Sequence, residues 1–213
     1  RIPFVLVQHE TTAALMAIVC GELTGSCGAC ISIMGTGAIN LAGGAAYAFL
    51  ERHPLLCITE TYGPSNAPLM SMQKIDHAQL FAPFCKASVT LDGGHPGAQI
   101  ERAIRMAEAE RPGPVHIALP IDSQPSPGLA PDEDEATPAP QRQVGDLEAI
   151  ADAINGARRP LLIVGPVVQR RHAAESVIRI AEKLGMAVMA TSKARGVIPE
   201  DHPLFAGVMS GVY

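Results

Sequence analysis

Short apolar runs alternate with helical patterns along most of this chain, and this alternation limits its fold more than any other feature. The runs at 4–7, 29–34, 55–59 and 115–119 are almost continuously apolar, which is typical of strands buried on both faces. Residues 98–110 carry apolar side chains at the spacing of a surface helix. Buried strands separated by helices predict an α/β fold with a mostly parallel sheet flanked by helices. The other predicted elements of this region are helices at 11–22, 37–51 and 77–81 and a strand at 84–90.

The regular pattern stops near residue 123 and restarts after residue 145. The residues between are rich in proline and charge without periodicity, which is typical of a linker. Beyond them the sequence predicts a helix from Leu147, a strand at 160–165, a helix at 172–184, a strand at 187–191 and a loop at 195–203. We therefore predict an α/β domain over 1–122, a linker over 123–145 and part of a second, Rossmann-like α/β domain over 146–213.

Composition excludes several classes of protein. Apolar residues make up 47% of the chain and charged residues 17%, which excludes general disorder. The formal charge of -5 gives no electrostatic reason to bind nucleic acid or an anionic membrane. The sequence contains no apolar run of membrane-spanning length and no secretory signal pattern, and its cysteines are expected to be free thiols, so we expect a cytoplasmic protein.

Cys27 and Cys30 have the C-x-x-C spacing of some zinc and redox sites. A zinc site needs a second pair or histidines at matching spacing, and the sequence shows neither. We therefore expect buried structural thiols at these positions, and no metal ligands in this chain.

Three polar segments follow predicted strands of the first domain: His9-Glu10, the turn MGTGAIN at 34–40, and the loop 60–76 that contains Gln73. Ligands of parallel sheets collect beyond the carboxyl ends of the strands. Taken singly, each segment also has an ordinary explanation. The helix dipole stabilises a carboxylate at a helix N-terminus, a glycine turn is common, and a loop glutamine can be solvated.

The order and spacing of these segments resemble the pyrimidine-binding domain of the thiamine-diphosphate enzymes of the acetohydroxyacid synthase and benzoylformate decarboxylase group. In that family an asparagine follows the strand-end glutamate by 30 positions, as Asn40 follows Glu10 here. A glutamine 63 positions after the glutamate marks the synthase-like members, and Gln73 stands there. The segment AEKLGMAVMATSKARGVIPEDHPLFAG at 181–207 is similar to the family's middle domain. The family's first strand has no counterpart in the chain.

The resemblance implies roles for individual residues. The family's glutamate hydrogen-bonds N1′ of the aminopyrimidine and favours the tautomer that removes the C2 proton, which assigns that role to Glu10. A glutamine facing the substrate adduct can donate to a developing oxyanion, which assigns that role to Gln73. Thr36 stands where many relatives have proline. The implied catalytic residues are Glu10 and Gln73, and the implied cofactor-binding residues are Glu10, Gly35, Thr36, Gly37 and Asn40.

The implied reaction makes or breaks a C–C bond next to the carbonyl of a 2-keto acid, as in an acetolactate synthase or a decarboxylase or lyase. The loop that holds His77 lacks the His-His pair of pyruvate-decarboxylase-type enzymes, which disfavours that subtype. The family binds the diphosphate through Mg²⁺ in a third domain with a G-D-G motif, and that motif does not occur here. We therefore expect the Mg²⁺ ligands to lie outside these residues and the isolated 213-residue chain to be inactive.

The resemblance also implies a second subunit that completes the site, in a homodimer or homotetramer. FAD binding by the middle domain stays open, but no G-x-G-x-x-G motif follows Gly165 to support it. Arg195 could contact a phosphate or cap a helix.

Two alternatives stay open. The chain could belong to a non-catalytic regulatory or ligand-binding subunit that retains the fold, although such a subunit has no need of a proton-relaying Glu10. It could also be half of a split enzyme, which the middle-domain segment disfavours.

Overall fold

The computed structural model of the chain describes residues 3–91, 93–122 and 145–209. These residues form two compact units, 3–122 and 145–209, and each is described by itself.

The first unit alternates strands and helices. Its strands are β1 (Gly28–Ser32), β2 (Leu55–Thr61), β3 (Ser88–Thr90) and β4 (Pro114–Pro120). Its helices are α1 (Glu10–Thr24), α2 (Thr36–Glu51), α3 (His77–Phe81) and α4 (Pro96–Glu108). The strands form one parallel sheet in the order β1-β2-β4-β3. All four therefore end at the same edge of the sheet, where the predicted polar segments follow β1 and β2.

The register of this sheet brings several polar side chains near one another. Cys57 on β2 lies opposite Cys30 on β1 and His116 on β4, and His116 in turn lies opposite Ser88 on β3. Thr59 follows Cys57 by two positions, so its side chain points to the same face of the sheet. The sequence pattern of β2 and β4 is mostly apolar because both strands are central and covered on both faces.

Small residues let α1 and α2 pack closely on one face of the sheet. Ala14 and Ala38 are fully buried there, together with Leu41 and Phe81. The opposite face is covered by α4, whose stripe of Ala103 and Ala107 packs on β2 and β4. Truncating a buried leucine such as Leu41 to alanine would cost about 2–5 kcal/mol, so this packing holds the starts of α1 and α2 in place.

The elements of the second unit are α5 (Leu147–Gly156), β5 (Leu161–Val164), α6 (Val167–Arg170), α7 (Ala174–Leu184), β6 (Ala187–Thr191) and β7 (Phe205–Met209). Its strands form a three-stranded parallel sheet in the order β5-β6-β7. A core around Val188, Ala190 and Ile198 joins α7 to the sheet. The predicted fold class, parallel sheets flanked by helices in two successive α/β units, is confirmed.

The prediction of a buried strand at 4–7 is wrong. The structure assigns no strand there, and Phe4, Val5 and Leu6 are 71%, 68% and 83% exposed. A strand needs a neighbour to satisfy its amide and carbonyl groups. Among the described residues no segment pairs with this run, so its apolar composition does not produce a strand.

The structure also differs from the prediction at β3 and β7. The strand predicted at 84–90 is shortened to β3, because the amides of Phe84 and Cys85 bond to the carbonyl of Phe81 at the end of α3. Strand β7 was not predicted at all, since Gly207 interrupts its apolar run and adopts φ 115° at a register irregularity of the β6–β7 pair. The predicted linker, apart from Gly145, lies outside the described residues.

Candidate active site

The carboxylate of Glu10 is oriented by a side chain of the neighbouring helix. Glu10 is the first residue of α1, but the cap is His9, whose Nδ1 accepts the amide proton of Thr11 at 3.2 Å. Glu10 is therefore free of the capping role that its position would otherwise explain. Its Oε2 instead accepts a hydrogen bond of 3.0 Å from Nδ2 of Asn40 on α2. The Thr11 hydroxyl donates to the backbone carbonyl of the same asparagine at 2.6 Å, which ties the two helix starts together.

The glycine turn between β1 and α2 comes very close to this carboxylate. A Cβ atom at position 37 would lie 3.2 Å from Oε1 of Glu10 and 2.7 Å from Cγ1 of Ile33. A side chain at position 37 would therefore clash with Ile33 and crowd the carboxylate, which favours glycine there. Thr36, the first residue of α2, is exposed beside it.

Gly35 joins this turn to the loop that carries Gln73. It adopts φ 65°, which favours glycine, and a Cβ atom there would lie 2.5 Å from Cβ of Gln73 and 2.9 Å from its carbonyl oxygen. Gln73 is itself an exposed residue with φ 55°, a conformation that non-glycine residues adopt at a cost of about 1–3 kcal/mol. Strained residues of this kind cluster at functional sites, which makes the Gln73 backbone a feature of interest.

A cavity of about 210 Å³ opens between the turn after β1, the end of β2 and this loop, and His77 also lines it. Met34, Ala67 and Ile75 form apolar parts of its wall, while Gln73 and Lys74 add polar groups. The Lys74 ammonium donates to the carbonyl of Ala67 at 2.6 Å, which closes the loop on itself. The cavity therefore lies beside the left-handed Gln73, and it is of a size suited to a small molecule.

The structure brings most of the predicted site residues together. Glu10 contacts Asn40 and approaches Gly37, while Gly35 contacts Gln73. Thr36 lies in the same turn, and its side chain is exposed to solvent. A carboxylate held by an amide can share a proton with a bound base. The described atoms thus fit a ligand that presents a protonatable nitrogen to Glu10.

Sequence reasoning missed three polar residues behind this site. Thr59, His77 and His116 are all buried, and the Thr59 hydroxyl is hydrogen-bonded to both histidines. Burial lowers the pKa of His116 to about 4, with the neighbouring His77 as a second cause. Burial also lowers the pKa of His77, against the opposing effect of the Asp76 carboxylate. The available signal was a histidine inside the otherwise apolar run VHIAL, because a buried polar side chain needs a partner.

The C-x-x-C pair holds no metal-binding arrangement. No group of three or more His, Cys, Asp or Glu residues suited to a metal occurs in the part of the chain that the structure describes. Cys30 is buried and Cys27 half-buried, and burial together with the Glu108 carboxylate raises the pKa of Cys27 to about 12. Cys27 is therefore a protonated thiol at neutral pH, as a structural role requires.

In the second unit, Arg195 is paired with a carboxylate. Its guanidinium donates to Oε1 of Glu200 at 2.6 and 3.0 Å, and its carbonyl accepts a hydrogen bond from Gln169. The guanidinium and the carbonyl of Arg195 therefore both have hydrogen-bond partners within the second unit. Within the described ranges 3–91, 93–122 and 145–209, the search for a helix long and apolar enough to cross a bilayer found none.

The fold and this arrangement together describe an α/β cofactor-binding domain followed by a second α/β unit. Residues 1–80 match the family model of the thiamine pyrophosphate enzyme N-terminal TPP binding domain, and residues 147–213 match that of the thiamine pyrophosphate enzyme central domain. The chain belongs to the thiamine pyrophosphate enzyme family.

Several known proteins are similar to the chain over nearly all its length. It is 30% identical to acetolactate synthase isozyme 1 large subunit of Escherichia coli and 32% identical to acetolactate synthase large subunit of Corynebacterium glutamicum, with 98% of the chain aligned in each case. It is also 32% identical, over 95% of its length, to a Pseudomonas aeruginosa protein named "Probable 2-ketoarginine decarboxylase AruI". The chain spans about a third of the length of these curated relatives, from 34% to 38%.

A solved structure shares the fold. The solved structure named "X-ray structure of a putative thiamin diphosphate-dependent enzyme isolated from Mycobacterium smegmatis" superposes with a TM-score of 0.82 at 28% identity. The match covers 97% of this chain and 41% of that one.

Proposed function

We propose that these residues are part of a thiamine-diphosphate-dependent enzyme that makes or breaks a C–C bond next to the carbonyl of a 2-keto acid. Of the three relatives described above, two are named acetolactate synthases and one is named a probable 2-ketoarginine decarboxylase. Enzymes with these names act on 2-keto acids. The observation that carries the proposal is the carboxylate of Glu10, held by Asn40 at 3.0 Å beside a glycine turn.

When bound, thiamine diphosphate supplies a nucleophilic carbon that adds to the carbonyl of the substrate. The part of Glu10 is to hold a proton at N1′ of the aminopyrimidine, for which a carboxylate suits better than a neutral amide. A charge-assisted hydrogen bond of this kind contributes about 1.5–3 kcal/mol. Asn40 donates to Oε2 and leaves Oε1, on the side of Gly37, for the ligand.

The glycine turn beside Glu10 is proposed to lie along this cofactor. Gly35 and Gly37 let its backbone pack tightly, since Cβ atoms there would lie 2.5 Å from Cβ of Gln73 and 2.7 Å from Cγ1 of Ile33. Thr36 is exposed beside them and is proposed to line the same surface. Gln73, on the other side of Gly35, is proposed to face the substrate and to donate its amide to a developing oxyanion.

The diphosphate and its Mg²⁺ need ligands that the described residues do not supply, since no carboxylate or histidine cluster suited to a metal occurs in them. We propose that another domain holds both and that a second subunit completes the site, in a homodimer or homotetramer. The 213 residues alone are expected to show no turnover. Nothing in the described residues supports FAD, and a cytoplasmic location stays an expectation from the free thiols.

The alternative is a regulatory or ligand-binding subunit without catalysis. The orientation of Glu10 speaks against it, because a silent subunit needs neither the carboxylate nor the asparagine that aims it.

The test is Glu10→Gln in the natural full-length chain that contains these residues, with Glu22→Gln as the matched control. Glu22 is an exposed residue of the same helix. Loss of the proton-holding group should lower kcat with a 2-keto acid by at least about 100-fold, while the control stays within about twofold of the parent. Equal kcat values for the parent and Glu10→Gln would refute the role of Glu10. A parent that binds thiamine diphosphate but turns over no 2-keto acid would favour the regulatory alternative.

A further inference from the structure

A buried line of hydrogen bonds starts at the glycine turn and crosses the first unit. The amide of Gly35 donates to Nε2 of His77 at 3.4 Å, and Nδ1 of His77 lies 2.8 Å from the Thr59 hydroxyl. The same hydroxyl lies 2.9 Å from Nε2 of His116, whose Nδ1 lies 2.6 Å from the hydroxyl of Ser88. Thr59 and His116 are fully buried and His77 is 5% exposed, while Ser88 lies at the surface.

The first link sets the direction of all the others. A backbone amide can only donate, so Nε2 of His77 must accept, and a neutral imidazole then carries its proton on Nδ1. That proton goes to the oxygen of Thr59, whose single hydrogen is left for Nε2 of His116. With the Thr59 hydrogen donated there, a neutral His116 carries its proton on Nδ1 and donates it to Ser88. These tautomers are assigned from the hydrogen-bond pattern, and each donor has one acceptor.

The packing around the histidines keeps them neutral. The ring of Phe81 stacks on His116 with centroids 4.3 Å apart and an interplanar angle of 6°. Burial lowers the pKa of both histidines, so neither is charged at neutral pH. Protonation of His77 would set a second donor against the Gly35 amide and break that link, and protonation of His116 would reverse its link to Thr59.

The chain of bonds ends where two functional segments meet. Gly35 carries the amide that His77 binds, and the same residue contacts Gln73. His77 is four positions after Gln73 along the chain and begins α3, which Asp76 caps. A single imidazole thus connects the turn of the candidate cofactor site to the loop of the candidate substrate site.

We propose that His77, oriented by Thr59 and His116, is a positioning residue that holds the Gly35 turn against the Gln73 loop. The inference rests on the proposed function and adds to it a residue that acts through the two segments it connects. Because the line holds two segments in place and moves no proton of the reaction, its loss should weaken binding of the cofactor and substrate. The kcat at saturation should change little.

The test compares Thr59→Val with Thr59→Ser in the natural full-length chain. Valine has the shape of threonine but removes the hydroxyl that both histidines need, while serine keeps it. Thr59→Val should raise the thiamine diphosphate dissociation constant, measured by calorimetry with Mg²⁺, by about tenfold, with a similar rise in the KM of the keto acid and kcat within about threefold. Thr59→Ser should restore both within about threefold of the parent. His95→Gln, at a half-buried histidine outside the line, is the control and should leave both unchanged.

A second readout does not depend on the Thr59 variants. In the parent protein with ¹⁵N-labelled histidine, His77 and His116 should both show the Nδ1–H tautomer at pH 7.5, assigned by loss of each signal in His77→Gln and His116→Gln. An Nε2–H tautomer at either position would overturn the proposal, as would a Thr59→Val dissociation constant equal to that of the parent. If Thr59→Val does not fold, the tautomers decide. A parent that shows the Nδ1–H tautomers but binds no thiamine diphosphate would contradict the proposed function and leave the line of bonds intact.

Discussion

The two units of the chain use the same parallel architecture, but they cover their sheets differently. In the first unit both faces of the sheet carry helices, and the central strands β2 and β4 are almost wholly buried. In the second unit the core lies on one side of β6, while Leu161 and Ile163 of β5 are 48% and 53% exposed. No residue of α5 is buried.

The difference extends to polar groups. The first unit buries Thr59, His77 and His116 behind the turn at the carboxyl ends of its strands. The second unit pairs its loop arginine, Arg195, with Glu200 at the surface. The comparison teaches that the same fold can carry different polar groups at corresponding places. In this chain the candidate site lies at the Gly35 turn, which a buried hydrogen-bonded histidine contacts.

Glycine substitutions should show the largest contrast between the units. Gly35→Ala forces a Cβ atom to within 2.5 Å of Cβ of Gln73 at φ 65°, whereas a Cβ at Gly165, after β5, meets nothing within 4 Å. We expect Gly35→Ala to lower the free energy of unfolding of the first unit by roughly 2–4 kcal/mol and Gly165→Ala to change stability by less than about 1 kcal/mol. Urea unfolding of each variant measures this. Equal midpoints for the two variants would mean that the turn relaxes and that the contrast is unfounded.

Acid is expected to lower the free energy of unfolding by a smaller amount, and this effect also belongs to the first unit. Below pH 6.5 the unfolded chain protonates its histidines, while His116 in the folded chain stays neutral down to a pKa of about 4. The stability that the neutral ring contributes is therefore complete above pH 6.5 and is lost as the pH falls towards 4, by up to about 3 kcal/mol. His77 adds to this in the same direction, with Asp76 opposing it.

The check is the unfolding free energy at pH 7.5, 6 and 5 for the parent and for His116→Gln. Carboxylates titrate in both proteins, so the difference between the two curves isolates the histidine. His116→Gln should be less stable at pH 7.5 but less sensitive to acid. Parallel curves would show that His116 is protonated in the folded chain at an ordinary pKa.

The smallest effect is expected at the surface of the second unit. Arg195→Gln removes an ion pair with Glu200 in which the two side chains are 61% and 51% exposed. Such a pair contributes about 0–1 kcal/mol, and salt screens it. We expect the urea midpoint to stay within experimental error and cofactor affinity to be unchanged. A large loss of affinity would reveal a role for the second unit that the geometry does not suggest.

Much of the fold could be predicted because periodic patterns extend over whole elements. The helix at 77–81 and the strand at 187–191 have the predicted bounds, and the others mostly differ by a few residues. The strand at 4–7 was predicted wrongly because a local pattern contains no information on whether a pairing partner is present. Strand β7 was missed because Gly207 weakens its pattern.

The candidate site divides in the same way. Glu10, Asn40 and Gln73 were proposed from their order and spacing. In the structure Asn40 is hydrogen-bonded to Glu10, Glu10 lies beside Gly37, and Gln73 lies beside Gly35. Thr59, His77 and His116 were not found, because they come from three separate elements, and only the register of β2 with β4 and the position of α3 make them neighbours. A single polar residue in an apolar run indicates that a partner exists but does not identify it.

The hydrogen bond between Asn40 and Glu10 has a consequence for the thermodynamics of ligand capture. A glutamate side chain loses up to about 2 kcal/mol of rotamer entropy when it is held in one conformation. Because Asn40 restrains Glu10 while both helices form, that entropy is lost during folding rather than during association. The ligand therefore meets a group already pointing in one direction, and a variant such as Asn40→Ala should bind with a less favourable entropy even where its enthalpy is unchanged.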